Sequence, residues 1–302
     1  MQPDPSLISE LESLPNNIGL KARDFINNLV NTLRLDVFTV ATLPAASTKT
    51  NQLVYVSDGF TPGLYWSNGS TWSVFQSGAG EVSPGRPPSD SHTLLWYKFD
   101  EAIGATTVVN YGTLGTSKNL TTAGTPVFGQ GGPFSSGMYV GSGYAYGADS
   151  VEPAQLTMSA WVRRISNSDG WIIDKGYQAG ATWLSPWYSA AISFWSSLWG
   201  ANVYSSGAKE AQDLGPVGVP GVRYYLVGTY DGVDVKLYVD GKLRRSVASG
   251  AIDYGNHGRW NIGANSAGAE FGHSIIDDVQ ICDVARDATW VLAAYRAGMG
   301  WV

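Results

Sequence analysis

Residues Tyr224 to Leu243 read YYLVGTYDGVDVKLYVDGKL, and that stretch leaves the chain few choices of fold. Asp231-Gly232 and Asp240-Gly241 are residue pairs that turn a chain tightly. Between them Val235, Leu237 and Val239 face one way while Lys236 and Tyr238 face the other, the period of a half-buried strand. Three successive antiparallel strands are the expected result. Leu156 to Arg163 alternates in the same way, and strand signals follow one another from Thr93 until a helical pattern near the end. Charged residues make up only 15% of the 302 and glycines number 37, which suits many short strands joined by turns. Residues 93–302 are therefore expected to form a mainly β, antiparallel two-sheet jelly-roll sandwich.

The front of the chain is different. Ile18, Ala22, Phe25, Ile26, Leu29, Val30 and Leu33 repeat at helical spacing, so residues 1–35 are expected to hold an amphipathic helix that anchors the chain. Such a helix cannot bury its stripe alone and must dock on something. Residues 36–78 read as a small β-hairpin unit, with Asn68-Gly69 supplying the turn between two apolar runs. A unit of roughly 40 residues is too small for an independent core and must also lean on a neighbour. Residues 79–92, rich in Gly, Pro and Ser, read as the linker between this region and the sandwich.

Several function classes are disfavoured. The net charge is -6 and Lys/Arg never cluster beyond a pair, so the electrostatic footprint of a nucleic-acid partner is missing. Cys282 is the single cysteine, which rules out an intramolecular disulfide and a cysteine-based zinc site. No apolar run is long enough to span a membrane, and the N-terminus shows no signal peptide, so synthesis in a cytoplasm is expected.

Gly180 to Gly200 concentrates Trp183, Trp187, Tyr188, Trp195 and Trp199 without one charge among them. In Ile192 to Trp199, alternation puts Ile192 with Phe194, and Trp195 and Trp199 opposite them. A Ser/Trp mixture suits a surface that meets something, since flat sugar C–H faces lie on indole and hydroxyls seek Asn202, Tyr204, Ser205 or Gln178. Three readings stay open: core, subunit interface, or glycan platform. A domain of this size needs large side chains inside, and Trp96, Trp161, Trp260 and Trp290 are assigned to the core.

Residues 94–295 resemble the concanavalin A-like lectin/glucanase superfamily, in its laminin G-like branch. The resemblance rests on LWYKFDE from Leu95, LTMSAWV from Leu156, VKLYVDGKL from Val235, NIG from Asn261, and SIIDDVQI from Ser274, in that order. It implies the sandwich and a binding role toward glycans or proteins. Residues 40–78 look like a module found near the N-terminal end of tailed-bacteriophage fibre and virion proteins. The matching pieces are ATLPAAS from Ala41, LVYVSDG from Leu53 and LYWSNGSTW from Leu64. That resemblance implies a virion protein, attached through its N-terminal region and assembled as a homotrimer.

Glucanases of this superfamily carry a Glu-x-Asp-x-x-Glu run, because a retaining mechanism needs two carboxyls roughly 5 Å apart. None of the seven glutamates here lies in such a run. Strand alternation sends the adjacent Asp277 and Asp278 to opposite faces, so they are not expected to pair. No enzyme is expected. The resemblance also implies one structural calcium between the opening and final strands, with Asp100, Glu101 and Asp278 as candidate ligands. Taken together, these readings describe a bacteriophage virion protein, a tail fibre or capsid decoration fibre, displaying a lectin-like domain toward host-surface carbohydrate. A polysaccharide depolymerase and a purely architectural virion protein are the alternatives.

Overall fold

The computed structural model describes residues 85–299 apart from 133, 135, 183 and 213–217, together with 36–38, 42, 44–49, 52–56, 63–67, 70 and 72–74. The helix expected over 1–35 and the Asn68-Gly69 turn lie outside the described residues. The chain divides into two compact units between Gly80 and Glu81.

In the first unit β1 (Val37–Phe38), β2 (Leu53–Val56), β3 (Gly63–Ser67) and β4 (Trp72–Val74) form one sheet in chain order. β1 lies parallel to β2, and the other pairs are antiparallel. Ser67 faces Trp72 across β3 and β4, which leaves four residues between the strands, whereas a two-residue Asn68-Gly69 turn would set Ser67 opposite Ser70.

The second unit is the sandwich. Its strands are β5 (Thr93–Tyr97), β6 (Thr107–Val108), β7 (Leu120–Gly124), β8 (Val127–Gln130), β9 (Gly137–Tyr139), β10 (Gly143–Gly147), β11 (Leu156–Arg164) and β12 (Gly170–Gly176). There follow β13 (Tyr188–Trp195), β14 (Leu198–Tyr204), β15 (Ala208–Gln212), β16 (Arg223–Tyr230), β17 (Asp234–Val239), β18 (Lys242–Ala248), β19 (Trp260–Ile262) and β20 (Ser274–Cys282). Helix α1 (Ala288–Gly298) closes the order. The front sheet runs β15-β14-β13-β12-β19-β10-β7-β6, and the back sheet β18-β17-β16-β11-β20-β9-β8, with β5 beside β20. The two pack face to face over Phe128, Ile192, Phe194, Leu226, Leu237 and Trp260.

Period-two patterning predicts the β16–β18 meander well. Val235, Leu237 and Val239 join the inter-sheet core, and Tyr238 turns to the opposite face. The second turn is built from two left-handed residues, Asp240 at φ 52° and Gly241 at φ 76°. β20 is buried along its whole length. Its inner residues Ile276, Val279 and Ile281 belong to the core, and its outer face is covered as well. α1 begins where the Asp287 carboxylate accepts the Trp290 amide at 2.8 Å, a helix N-cap. The helix lays Val291 and Ala294 on the back sheet, against Trp161, Tyr225 and Tyr238. Apolar burial of that kind contributes about 25 cal/mol per Å2 removed from water, which is what holds so short a helix in place.

Residues 85–92, within the stretch that reads as a linker, lie against the same outer face. The Gly85 amide donates to the Ala297 carbonyl at 2.9 Å and the Gln280 side chain donates to the Pro87 carbonyl at 3.3 Å. Arg286 grips Asp90 through both terminal nitrogens, at 2.9 and 2.5 Å. The tryptophan assignments hold for Trp161 and Trp260, which are fully buried. Trp290 sits partly buried at the α1 contact. Trp96 is a correction: it is partly exposed on the outer face of β5, because its indole N–H turns to the Asp278 carboxylate. Among the described residues no helix is long and apolar enough to cross a membrane.

Candidate functional site

The aromatic segment folds as a hairpin, and its turn decides which rings reach solvent. Ser196 and Ser197, at φ 51° and 72°, reverse the chain between β13 and β14. Cross-strand pairs then place Ala190 opposite Val203, Ile192 opposite Ala201 and Phe194 opposite Trp199. Trp199 therefore shares the inward face with Phe194, not the outward face that unbroken alternation assigns to it. It is 1% exposed, its ring 4.8 Å from that of Phe194 and 5.5 Å from that of Tyr224.

Tyr188 is also buried, packing with Trp171 and Ala191 in a small cluster on the outer face of the front sheet that Trp195 flanks. Asn202 lies on that outer face, 2% exposed, and donates to the Ser193 hydroxyl at 2.7 Å. Ser205 is buried as well. Trp199, Tyr188, Asn202 and Ser205 are thus structural, and Trp183 lies outside the described residues.

Trp195 is partly buried at the far end of β13, and the other accessible candidates gather at the opposite end of the front sheet, where three connections meet. The connection from β12 to β13 presents Trp187 at 48% and Leu184 at 63% exposure. Trp187 holds φ 65°, a strained conformation for a bulky side chain, fixed by its amide donating to the Leu184 carbonyl at 2.7 Å. The Tyr177 amide donates to the Trp187 carbonyl at 3.2 Å, so the two residues are neighbours. Tyr177 meets Tyr204 edge-on at 5.4 Å and donates its hydroxyl to Asp253 at 3.1 Å. That hydrogen bond raises the pKa of the Tyr177 phenol. The Asn256 side chain donates to Gln178 at 2.9 Å, and the Asp253 amide to the Tyr204 carbonyl at 2.9 Å.

The result is a rim of two exposed apolar side chains beside tyrosines, amides and a carboxylate whose positions hydrogen bonds hold. Gln178, Trp187 and Tyr204 are the residues legible in the sequence that belong to it. Tyr177, Asp253 and Asn256 enter from flanking loops; Asn256 lies in the Gly-rich run from Tyr254 to Gly258, and no sequence signal marks Tyr177 or Asp253. His257, in that run, pairs with Glu152 at 2.7 Å, and Glu152 with Lys175 at 3.2 Å. Glu152 also lines an open groove of 640 Å3 together with Leu94, Leu114, Lys118, Pro153 and Asp283.

The residues read as calcium ligands come together differently. Register between β11 and β20 slips between Ser159 and Trp161, and Asp278 takes φ 53°. This bulge breaks strand alternation, so Asp277 and Asp278 point to the same side, a correction to the expectation of opposite faces. Both approach one guanidinium nitrogen of Arg86, at 3.8 and 3.4 Å, while the other lies 2.6 Å from Asp100. The Trp96 indole also donates to Asp278. Burial pushes both carboxyls up, Asp277 to about 8 and Asp278 to about 6.

Glu101 turns elsewhere, accepting the Val109 amide at 2.9 Å. A calcium ion takes roughly six to eight oxygens at about 2.3–2.6 Å. Here one oxygen each of Asp100 and Asp278 already receives an N–H donor from a cation, and although Asp277 Oδ1 and Asp278 Oδ2 are buried without a hydrogen-bond partner, these residues do not fit the ion while the Arg86 charge is seated among them. Among the described residues no group of three or more His, Cys, Asp or Glu side chains is arranged to hold a metal.

Solved structures share the sandwich. Domain 4 of AbnA, a GH43 extracellular arabinanase from Geobacillus stearothermophilus in complex with arabinotriose, superposes with TM-score 0.53 at 16% identity, covering 67% of this chain and 98% of that one. A receptor-binding domain matches with TM-score 0.50 at 12% identity, over 69% of this chain and 51% of its own. The botulinum neurotoxin type C structure whose cell entry depends on two ganglioside molecules gives TM-score 0.49 at 13% identity, over 68% and 51%. The chain thus spans about half the length of the last two. No curated protein sequence matches. A family model matches residues 136–292, more than half of the sequence, and on that evidence the chain belongs to the concanavalin A-like lectin/glucanases superfamily.

Proposed function

We propose that the sandwich is a non-catalytic carbohydrate-binding module that a bacteriophage particle displays toward its host, seated by the N-terminal region as a homotrimer. The observation that carries the binding half is the rim. Trp187 and Leu184 offer apolar surface beside Tyr177, Gln178, Asp253 and Asn256, a mixture suited to the C–H faces and hydroxyls of a sugar. A domain of the same fold in an arabinanase is in complex with arabinotriose, which supports a glycan as the ligand class. Among the described carboxyls pushed up by burial, Asp174, Asp277 and Asp278 are 0–1% exposed, out of reach of a polymer, and the partly buried Glu101 and Asp240 each accept a backbone amide, so the binding reading is favoured over cleavage. The virion half rests on the resemblance of residues 40–78 to phage fibre modules and on the small area a four-stranded sheet can bury.

The test is a glycan array probed with the full chain, followed by titration of the best ligand against Trp187→Ala. Loss of one central aromatic anchor is expected to weaken binding at least roughly tenfold, about 1.4 kcal/mol. An array without hits, or a Trp187→Ala chain that binds unchanged, would sink the carbohydrate reading. Release of reducing ends from the bound polysaccharide would replace it with the depolymerase. Electron microscopy of phage particles, with labelled antibody to this chain, tests the virion half, and an unlabelled particle overturns it.

A further inference from the structure

The superfamily resemblance implies a calcium between the opening and final strands, and the side chains at that place disagree with it. Asp100 follows β5, Asp278 is the bulged residue of β20, and the cation between them is the guanidinium of Arg86. We infer that Arg86 is a built-in replacement for the structural metal, so that the sandwich is calcium-independent and residues 85–92 are bound to it by the same charge that completes the site.

Three features support this. The guanidinium donates to two carboxylates at once, Asp100 at 2.6 Å and Asp278 at 3.4 Å, as a shared cation would, with the Asp277 carboxyl, which burial holds toward the neutral acid, 3.8 Å away. It is held from the other side as well, 5.0 Å from the centroid of the Phe134 ring. Its own backbone is fixed on both flanks, by the Gly85 amide on the Ala297 carbonyl at 2.9 Å and by Gln280 on the Pro87 carbonyl at 3.3 Å. A planar fork with five donors spreads over divergent carboxylates more widely than the three donors on one ammonium nitrogen, which favours arginine over lysine. A divalent ion entering beside it would meet a positive charge within contact distance.

The experiment uses the full chain stripped with EDTA. Its melting temperature is expected to stay constant when calcium chloride is added to millimolar levels, and calorimetric titration with the ion should give no heat of binding to the sandwich. Arg86→Met removes the charge while keeping an apolar stem. That variant should melt lower by roughly 5 °C or more, because buried carboxylates lose their partner. Calcium should then raise its melting point, an effect absent from the parent. Arg86→Lys should fall between the two and respond weakly to the ion. A parent protein that calcium stabilises saturably would overturn the inference, and that measurement stands even where the methionine variant fails to fold. An Arg86→Met chain that melts with the parent, or one that loses stability and ignores calcium, would equally show that the guanidinium and the metal do not share one place.

Discussion

Replacing Trp199 with alanine separates packing from recognition within a single hairpin. The indole lies against Phe194 and Tyr224 and is 1% exposed. A buried tryptophan removes roughly 150–250 Å2 from water, worth about 4–6 kcal/mol at 25 cal/mol per Å2. Two terms reduce that figure. The unfolded chain already hides some of the area, and the indole N–H is buried without a hydrogen-bond partner among the described residues, which costs free energy in the parent. The expected loss is therefore about 3–5 kcal/mol, in line with other aromatic truncations.

For a sandwich of this size that lowers the melting point by roughly 10 °C. Differential scanning calorimetry reads the shift, and ligand titration well below the transition reads affinity, which should equal the parent's. A variant that melts within about 2 °C of the parent yet loses glycan binding would refute the reasoning. In that event Trp199 would be a platform and the hairpin register described above would be wrong. Trp199→Phe is expected to cost much less than alanine, since it keeps most of the ring area and deletes the unpaired donor.

Three further outcomes follow from particular contacts. Trp187→Ala should leave stability within about 0.5 kcal/mol of the parent by chemical denaturation, because exposed substitutions rarely cost more and the strain at φ 65° is partly relieved. Gly298→Ala would put a methyl 2.2 Å from the Trp161 ring at the end of α1, and overpacking of about 1–3 kcal/mol should appear in the same assay. Asp240 accepts the Tyr225 amide at 2.8 Å, and burial raises its pKa from 3.8 to about 6. The folded state thus favours the protonated acid, so this contribution is complete below about pH 4 and is lost as pH rises through about 6, with a ceiling of about 3 kcal/mol. Asp240→Asn keeps the acceptor and should flatten that slope between pH 4 and 7 in denaturant melts; an unchanged slope would show that the group does not titrate there.

The sequence by itself determined whatever depends on neighbours along the chain. Alternation in Val235, Leu237 and Val239, with the turns at Asp231-Gly232 and Asp240-Gly241, specifies the β16–β18 meander, since side-chain direction in a strand follows position alone. The ordered set of strands carries the superfamily in the same way. Parity could not be followed through Ser196-Ser197, which turns the chain without glycine or asparagine to mark it. Every side chain after it changed face, and Trp199 moved from the surface to the core.

Nor could alternation foresee the bulge at Asp278, a single extra residue that brings two adjacent carboxylates to one side. Only tertiary structure seats Arg86 against Asp278, 192 residues away, and makes residues 85–92 of the stretch that reads as a linker part of the sandwich. The rim is likewise assembled from three connections, with Tyr177 and Asn256 adjacent in space and distant in sequence. Local periodicity reports how a chain alternates. Which faces meet, and which charges neutralise one another, is decided by how two sheets close over a core.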